Sequence, residues 1–158
     1  LDIADYKTFF KLKPPLRSEN DRLKTIEAVR DGTIDIISSM HTPQDEESKR
    51  LPFEDAASGA IGLETILPAM LRLYHSNHLK MDQIFNAISL KPAKRLGLAC
   101  GSLKHKKIAD LIIFDADKPF ILNRDLLHSK VKNTPFDGHK LQGQVLRTFV
   151  KGKEVFSL

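Results

Sequence analysis

The sequence predicts an α/β protein made of two strand–helix units with a small β region appended. Three observations carry that prediction. Up to Gly97, short β-branched apolar runs alternate with stretches whose apolar residues fall at helical spacing, the pattern of parallel βα units. After Gly97 the helical spacing stops and turn-bounded apolar strands take over. The chain has 158 residues, 41% hydrophobic and 28% charged, which is enough for a buried core and unlike a disordered or collagen-like polymer.

In chain order, residues 7–12 (Lys-Thr-Phe-Phe-Lys-Leu) read as a short strand stopped by Pro14-Pro15. Ser18-Glu19-Asn20-Asp21 reads as a helix N-cap with acids in the first turn, where they complement the helix dipole. Leu23, Ile26 and Val29 keep the helical spacing until Gly32 ends it. Residues 33–39 are short, β-branched and largely apolar, as a buried parallel strand would be. A polar loop with a charged centre runs from Met40 to about Ser58.

Residues 62–76 predict a helix whose wide apolar face carries Leu63, Ile66, Leu67, Met70, Leu71, Leu73 and Tyr74. Residues 81–90 predict another, with Ile84, Phe85 and Ile88. A third short helix covers residues 92–96, with Pro92 in its first turn and Gly97 closing it. Beyond it, residues 110–115 form a strand bounded by acids. Residues 145–150 and 154–156 flank Lys151-Gly152-Lys153 as a β-hairpin. Two βα units cannot close a barrel, and a few strands make a poor sandwich alone. The missing surface is expected from other chain, another subunit or a larger parent.

Several classes are excluded. No apolar run approaches the roughly 20 residues of a membrane span. The start, Leu1-Asp2-Ile3-Ala4-Asp5, has neither the basic nor the apolar region of a secretory signal. With Cys100 as the one cysteine, an internal disulfide and a cysteine zinc cluster are impossible, and a reducing cytoplasm is the expected location. The net charge of +5 raises the question of a polyanion. The basic residues are dispersed, however, and the densest group, Lys104-His105-Lys106-Lys107, has no interleaved aromatics to stack bases. It reads as a solvated turn, and no nucleic-acid or membrane partner is expected.

Six motifs then stand in a recognisable order. Lys11-Leu12-Lys13-Pro14-Pro15-Leu16-Arg17, followed by a helix and Gly32-Thr33-Ile34-Asp35-Ile36-Ile37, resembles the seventh-strand region of the dihydroorotases of the amidohydrolase superfamily. Residues 41–54 resemble the loop after the eighth strand, and Gly62-Leu63-Glu64-Thr65 is similar to the G-x-E-T helix start. Residues 91–98 resemble P-A-x-x-x-G-L, and residues 101–115 resemble G-x-L-x-x-G-x-x-A-D-L. Residues 148–155 resemble the closing T-x-V-x-G-x-x-V hairpin.

The resemblance covers nearly the whole chain but only the C-terminal two-fifths or so of such an enzyme. With Leu1 rather than Met at the start, it leads us to expect a fragment. Residues 1–97 would be the last βα units of a (β/α)8 TIM-like barrel. Residues 98–158 would be the C-terminal strands of a small composite β-sandwich completed by a missing N-terminal segment of the same protein.

The reaction implied is hydrolysis of the cyclic amide of dihydroorotate to N-carbamoyl-L-aspartate in de novo pyrimidine biosynthesis. In the full-length family enzyme zinc polarises the carbonyl and acidifies bound water, while a carboxylate takes the proton. The family's histidine metal ligands lie upstream of Leu1, so this chain alone is expected to hold no metal and to catalyse nothing. The family ends its eighth strand with D-H-x-P-H, and this chain has Met40-His41-Thr42-Pro43-Gln44. Met40 therefore stands at the position of the catalytic Asp, and a thioether is neither a general base nor a good ligand for a hard or borderline cation.

Three further departures fall at positions the resemblance implies are substrate-binding. Gln44 replaces the second His, Lys13 replaces the Asn of K-x-N-P-P-L-R, and Ala57-Ser58-Gly59 replaces P-F-G, leaving Ser58 and Gly59 as the loop contacts. Two readings follow: a dihydroorotase-like cyclic amidohydrolase, or an inactive pseudo-dihydroorotase acting as a structural partner of aspartate transcarbamoylase. Either is expected to be a homo-oligomer.

The other reactive side chains have plainer readings. His41 could line a pocket or be a hydrogen-bonded loop residue. His75 and His78 stand at i, i+3 without an acid in the motif, which suits a helix C-terminal cap better than zinc. His105, His128 and His139 read as isolated and solvated, and Asp45-Glu46-Glu47 as a solvated run. Cys100 lacks an activating basic dyad. Glu64 fits helix capping. Arg17 could touch an anionic substrate or pair with a helix acid.

Overall fold

Ser18 starts the first helix in the manner its side chain predicts. In the computed structural model, which describes residues 5–158, α1 spans Glu19–Asp31. The Ser18 hydroxyl accepts from the Asp21 N–H at 3.2 Å, and the Asp21 carboxylate accepts from the Ser18 N–H at 3.3 Å. Gly32 closes the helix in the left-handed conformation. Residues 1–4, which bear the reading of the chain start, lie outside the described residues.

Four more helices follow: α2 (Glu46–Arg50), α3 (Ile66–His75), α4 (Met81–Phe85) and α5 (Lys91–Arg95). A π-turn over Asn86–Leu90 joins α4 to α5, so the two separate helices expected from the sequence form one helical run. Helix α2 lies inside the segment read as a loop; the Asp45 carboxylate starts it by accepting from the Ser48 N–H at 2.8 Å. The helix expected from residue 62 starts at Ile66, because Gly62 to Thr65 form the turn that feeds it.

Two predicted strands are not strands. Within residues 7–12, Thr8–Phe10 form a 3-10 turn; the Thr8 and Lys11 carbonyls accept from the Lys49 ammonium, and Lys11 also from the Gly59 N–H at 2.9 Å. Residues 33–39 form no strand among the described residues: the chain bends at Thr33 and Ile34 and then runs irregularly. Their backbone is tied to helices instead, with the Ile34 N–H donating to the Ala28 carbonyl at 2.8 Å and the Ile37 N–H to Ala87 at 3.0 Å. A single parallel bridge, His41 to Ala60, marks the end of this segment. Ile34 and Ile37 still do what an apolar strand would do. They pack, with Met70 and Leu73, on a core of Ile26, Val29, Leu79 and Ile84.

The C-terminal half forms one antiparallel sheet in the order β1 (Leu111–Ile121), β2 (Lys140–Val150), β3 (Lys153–Ser157). Lys151 and Gly152, both at positive φ, make the two-residue hairpin turn whose twist matches antiparallel strands. Pro119 is tolerated because, among the described residues, β1 has a partner on one side only, and the register slips around it. Helix α3 lies against β2, where Gly143 makes room for the fully buried Leu71; a β-carbon there would meet Leu71 Cδ1 at 2.1 Å. Among the described residues no helix is long and apolar enough to cross a membrane.

Candidate functional site

Residues 37–40, 60–62 and 135–136 converge on a cavity of about 200 Å³, which Lys13, Thr65, Ile66 and Met70 also line. It is mostly apolar, and Lys13, Ser38, Ser39 and Thr65 are the lining residues with polar side chains. Its size suits a small metabolite better than a drug-sized molecule, whose pockets start at about 300 Å³.

Two tight approaches shape the floor. A β-carbon on Gly62 would lie 2.3 Å from the Ser39 carbonyl oxygen, so only glycine lets residues 59–62 reach the 37–40 segment. Gly59 has φ +129° and is buried against Thr42, whose side chain would meet a β-carbon at 2.7 Å. His41 rivets the two segments: its Nδ1 accepts from the Gly62 N–H at 3.0 Å and sits 3.4 Å from the Leu63 nitrogen. Of the two sequence readings, the hydrogen-bonded loop histidine is the one the geometry supports.

Met40 lines the cavity, half exposed at 51%, with its backbone at φ +45°. That left-handed conformation is common for Gly, Asn and Asp and costly for other residues. Lys13 lies at the rim of the same cavity and is exposed.

Gln44 and Ser58 meet each other rather than the cavity. The Gln44 Nε2 donates to the Ser58 carbonyl at 3.1 Å, and the Gln44 N–H donates to the Asn133 side-chain oxygen at 3.3 Å. The structure thus brings Lys13 and Met40 together at the cavity and places Gln44, Ser58 and Gly59 in the loop that supports it. Asn133, Pro135 and Phe136 were missed in the sequence because they belong to a segment remote in the chain, and only the fold brings them here.

Lys49 was missed too. Its side chain is buried at 3% exposure and donates to the carbonyls of Thr8 (3.0 Å), Lys11 (3.2 Å) and Ala57 (2.7 Å). Burial, and then the neighbouring Lys11 charge, lower its pKa from the ordinary lysine range. Lys11 itself donates to the Phe53 and Glu54 carbonyls at 2.8 and 2.7 Å. Two ammonium groups therefore pin the 53–57 stretch by its backbone.

The reading of Glu64 as a helix cap needs correction. Its carboxylate accepts from the His128 N–H (2.9 Å) and the Ser129 N–H (3.0 Å), and meets His128 Nδ1 at 3.0 Å, so it caps a distant turn. Burial acts to raise its pKa, but these bonds outweigh it and hold the carboxyl below its usual range. His128, expected to be isolated, is bonded to Glu64 and packs edge-on against Phe156. His139 is likewise engaged, edge-on to Phe136; burial and then the Arg72 charge lower its pKa. His75 ends α3 with Nε2 3.0 Å from the Ala116 carbonyl, linking the helix to β1. Asp45, Glu46 and Glu47 open α2, while Arg17 and Cys100 are exposed.

Among the described residues no three His, Cys, Asp or Glu side chains come together. The position nearest the cavity that the resemblance assigns to a metal-binding carboxylate carries the Met40 thioether. These residues do not fit a zinc centre.

The Amidohydrolase family profile matches residues 11–155, and the chain belongs to that family and shares its α/β fold. Within the family the similarity points to one activity name. The chain is 41% identical over 155 residues to a protein named dihydroorotase from Ehrlichia chaffeensis, covering 98% of this chain and 35% of that protein. It is 43% identical to a dihydroorotase from a Wolbachia endosymbiont of Drosophila simulans, with the same coverage. Among solved structures, the L-hydantoinase (dihydropyrimidinase) from Arthrobacter aurescens superposes with a TM-score of 0.91 at 31% identity, over 98% of this chain and 36% of that one. The chain thus spans about a third of the length of the relatives it matches.

Proposed function

We propose that this chain forms the ligand-binding wall of a dihydroorotase-like protein of pyrimidine biosynthesis that recognises a small cyclic amide bearing a carboxylate but does not hydrolyse it. The observation that carries this reading is Met40, which lines the cavity at the position where the family resemblance calls for a carboxylate. A general base must reach the water it deprotonates, and a thioether has no site for that proton. What the chain retains is recognition: an ammonium at Lys13 for an anionic ring substituent, and hydroxyls and an apolar wall for the ring. Similarity to the dihydroorotases supports dihydroorotate as the ligand. Because the donor set does not fit zinc, no hydrolytic step is assigned to these residues.

On this reading residues 1–97 are the C-terminal part of a barrel, and residues 98–158 are strands of a β-sandwich that further chain completes. The exposed Ile112, Ile113 and Ile121 on β1 support a covered sheet. A structural role beside aspartate transcarbamoylase belongs to the same proposal. Its candidate contacts are the exposed Leu96, Leu98, Leu103 and Ile108.

The test is dihydroorotate hydrolysis by the natural protein with added zinc, beside Met40→Asp, together with calorimetric binding of L-dihydroorotate and co-purification with aspartate transcarbamoylase. Binding without turnover is expected. Turnover by the unmodified protein would overturn the loss of hydrolysis, and absence of binding would overturn the ligand assignment. Turnover by Met40→Asp alone would locate the loss at that single position.

A further inference from the structure

We infer that Asn133 is a positioning residue for the cavity, joining the C-terminal segment to the 57–62 loop so that the two close as one wall. This rests on the reading of the cavity as the ligand site. Asn133 is buried at 3% exposure and spends each of its side-chain polar atoms on a different segment. Its Oδ1 accepts from the Gln44 N–H at 3.3 Å, and its Nδ2 donates to the Gly59 carbonyl at 3.3 Å. Its main-chain carbonyl accepts from the Ile61 N–H at 3.0 Å. Three contacts from one residue thus hold both sides of a loop whose Ser58 carbonyl is already bonded by Gln44.

The same residue sits directly before a stretch that builds the cavity. Thr134 is fully buried, and Pro135 and Phe136 line the same cavity as Met40. That stretch is anchored to the sheet, with the Gly138 N–H donating to the Leu122 carbonyl at 2.8 Å and the Leu122 N–H to His139 at 3.0 Å. A chain of main-chain bonds therefore runs from the end of β1 through residues 133–139 to the 59–61 loop, and Asn133 is the link at which it crosses. The C-terminal sheet region, read from sequence as a separate layer, sets the shape of a cavity in the N-terminal part through this side chain.

Asn133→Asp tests the link because it keeps the shape and changes one atom. The ionised carboxylate still accepts from Gln44, but it faces the Gly59 carbonyl with no proton to donate. Once protonated it regains an O–H donor, and apposition to a carbonyl in a buried site raises the pKa of such a carboxyl above its ordinary value of about 3.9.

The experiment is amide hydrogen exchange of residues 57–62, relative to the unmodified protein at the same pH, with α1 as an internal reference. Binding of L-dihydroorotate is measured alongside. At pH 7 the loop amides of Asn133→Asp are expected to exchange at least about tenfold faster, and binding to weaken about tenfold, with α1 unchanged. Lowering the pH to about 4.5 is expected to bring loop exchange back toward the unmodified value, which a general loss of packing would not do.

Unchanged loop exchange, equal acceleration in α1, or failure of acid to restore the loop would overturn the inference. If Asn133→Asp does not fold, Asn133→Ser gives the same reading, since its hydroxyl is too short to span both partners. Faster loop exchange in a protein that binds no L-dihydroorotate even when unmodified would retain the positioning role and reject the ligand assignment instead.

Discussion

His41 Nδ1 accepts the Gly62 N–H at 3.0 Å, and this bond closes the floor of the cavity. Because Nδ1 is the acceptor, the proton of the neutral ring resides on Nε2. Gly62 is buried and cannot turn to water if the imidazole is removed. His41→Ala is therefore expected to cost about 1–3 kcal/mol, the penalty of an orphaned buried donor, read as a lower urea midpoint with unchanged slope. His41→Asn, whose side-chain oxygen can accept, should recover part of that loss.

Met40 holds a left-handed backbone at φ +45° with half of its surface in solvent. Its side chain contributes little burial against the strain of that conformation, which is about 1–2 kcal/mol for an ordinary L-residue. Met40→Asn is expected to raise stability by about 1 kcal/mol, seen as a higher thermal midpoint, whereas Met40→Leu should leave it unchanged. Equal midpoints for both would show that the conformation is not strained.

The Lys49 ammonium is satisfied by three carbonyls and no carboxylate. Lys49→Met leaves the Ala57 carbonyl without a donor, while the Thr8 and Lys11 carbonyls keep the Lys11 and Gly59 N–H groups, and is expected to destabilise by about 1–3 kcal/mol, the penalty of an orphaned buried acceptor. Burial first and Lys11 second lower its pKa in the folded state below the ordinary value of 10.5. In the alkaline window below 10.5 the unfolded chain then binds more protons than the folded one, so this group favours folding more as pH rises. The stability difference between the natural protein and Lys49→Met should widen from neutral pH toward that value, and a constant difference would contradict the assignment.

Glu64 joins the entry to α3 with the 128–129 turn through three short contacts. Burial opposes ionisation, but those bonds hold its carboxyl below the ordinary 4.5. A lowered carboxyl contributes stability above its unfolded pKa and loses it as pH falls through the folded one. Glu64→Gln is expected to cost about 1 kcal/mol at pH 7, with the cost shrinking below pH 4.5 in urea titrations. The amide's own oxygen still accepts one bond, so the variant should fold.

Much of the secondary structure was legible in the sequence because its causes are local. Ser18 and Asp21 cap α1, Lys151-Gly152 turns the hairpin, and the apolar spacing through Leu67 and Leu71 marks α3. Residues 33–39 show where local reasoning stops. Their β-branched apolar composition predicts a strand, yet a strand exists only when a neighbour supplies hydrogen bonds, and here the helices supply them instead. Of the site, Met40, Lys13, Gln44 and Ser58 stood out as departures from a family pattern, and Gly59 as the retained glycine of its loop. Lys49, Asn133 and Phe136 carried no such mark.

The sequence by itself determined the α/β class and, through six ordered motifs, the family resemblance, since both depend on residue identity and short-range spacing. Only the tertiary structure decided which side chains share a cavity. It made Lys49 a buried clasp, Gln44 a loop support and Asn133 a crossing point, because these roles depend on bonds spanning 8 to 89 residues of chain. A buried polar atom takes whatever partner the fold brings within hydrogen-bond distance, and separation along the chain does not encode that partner.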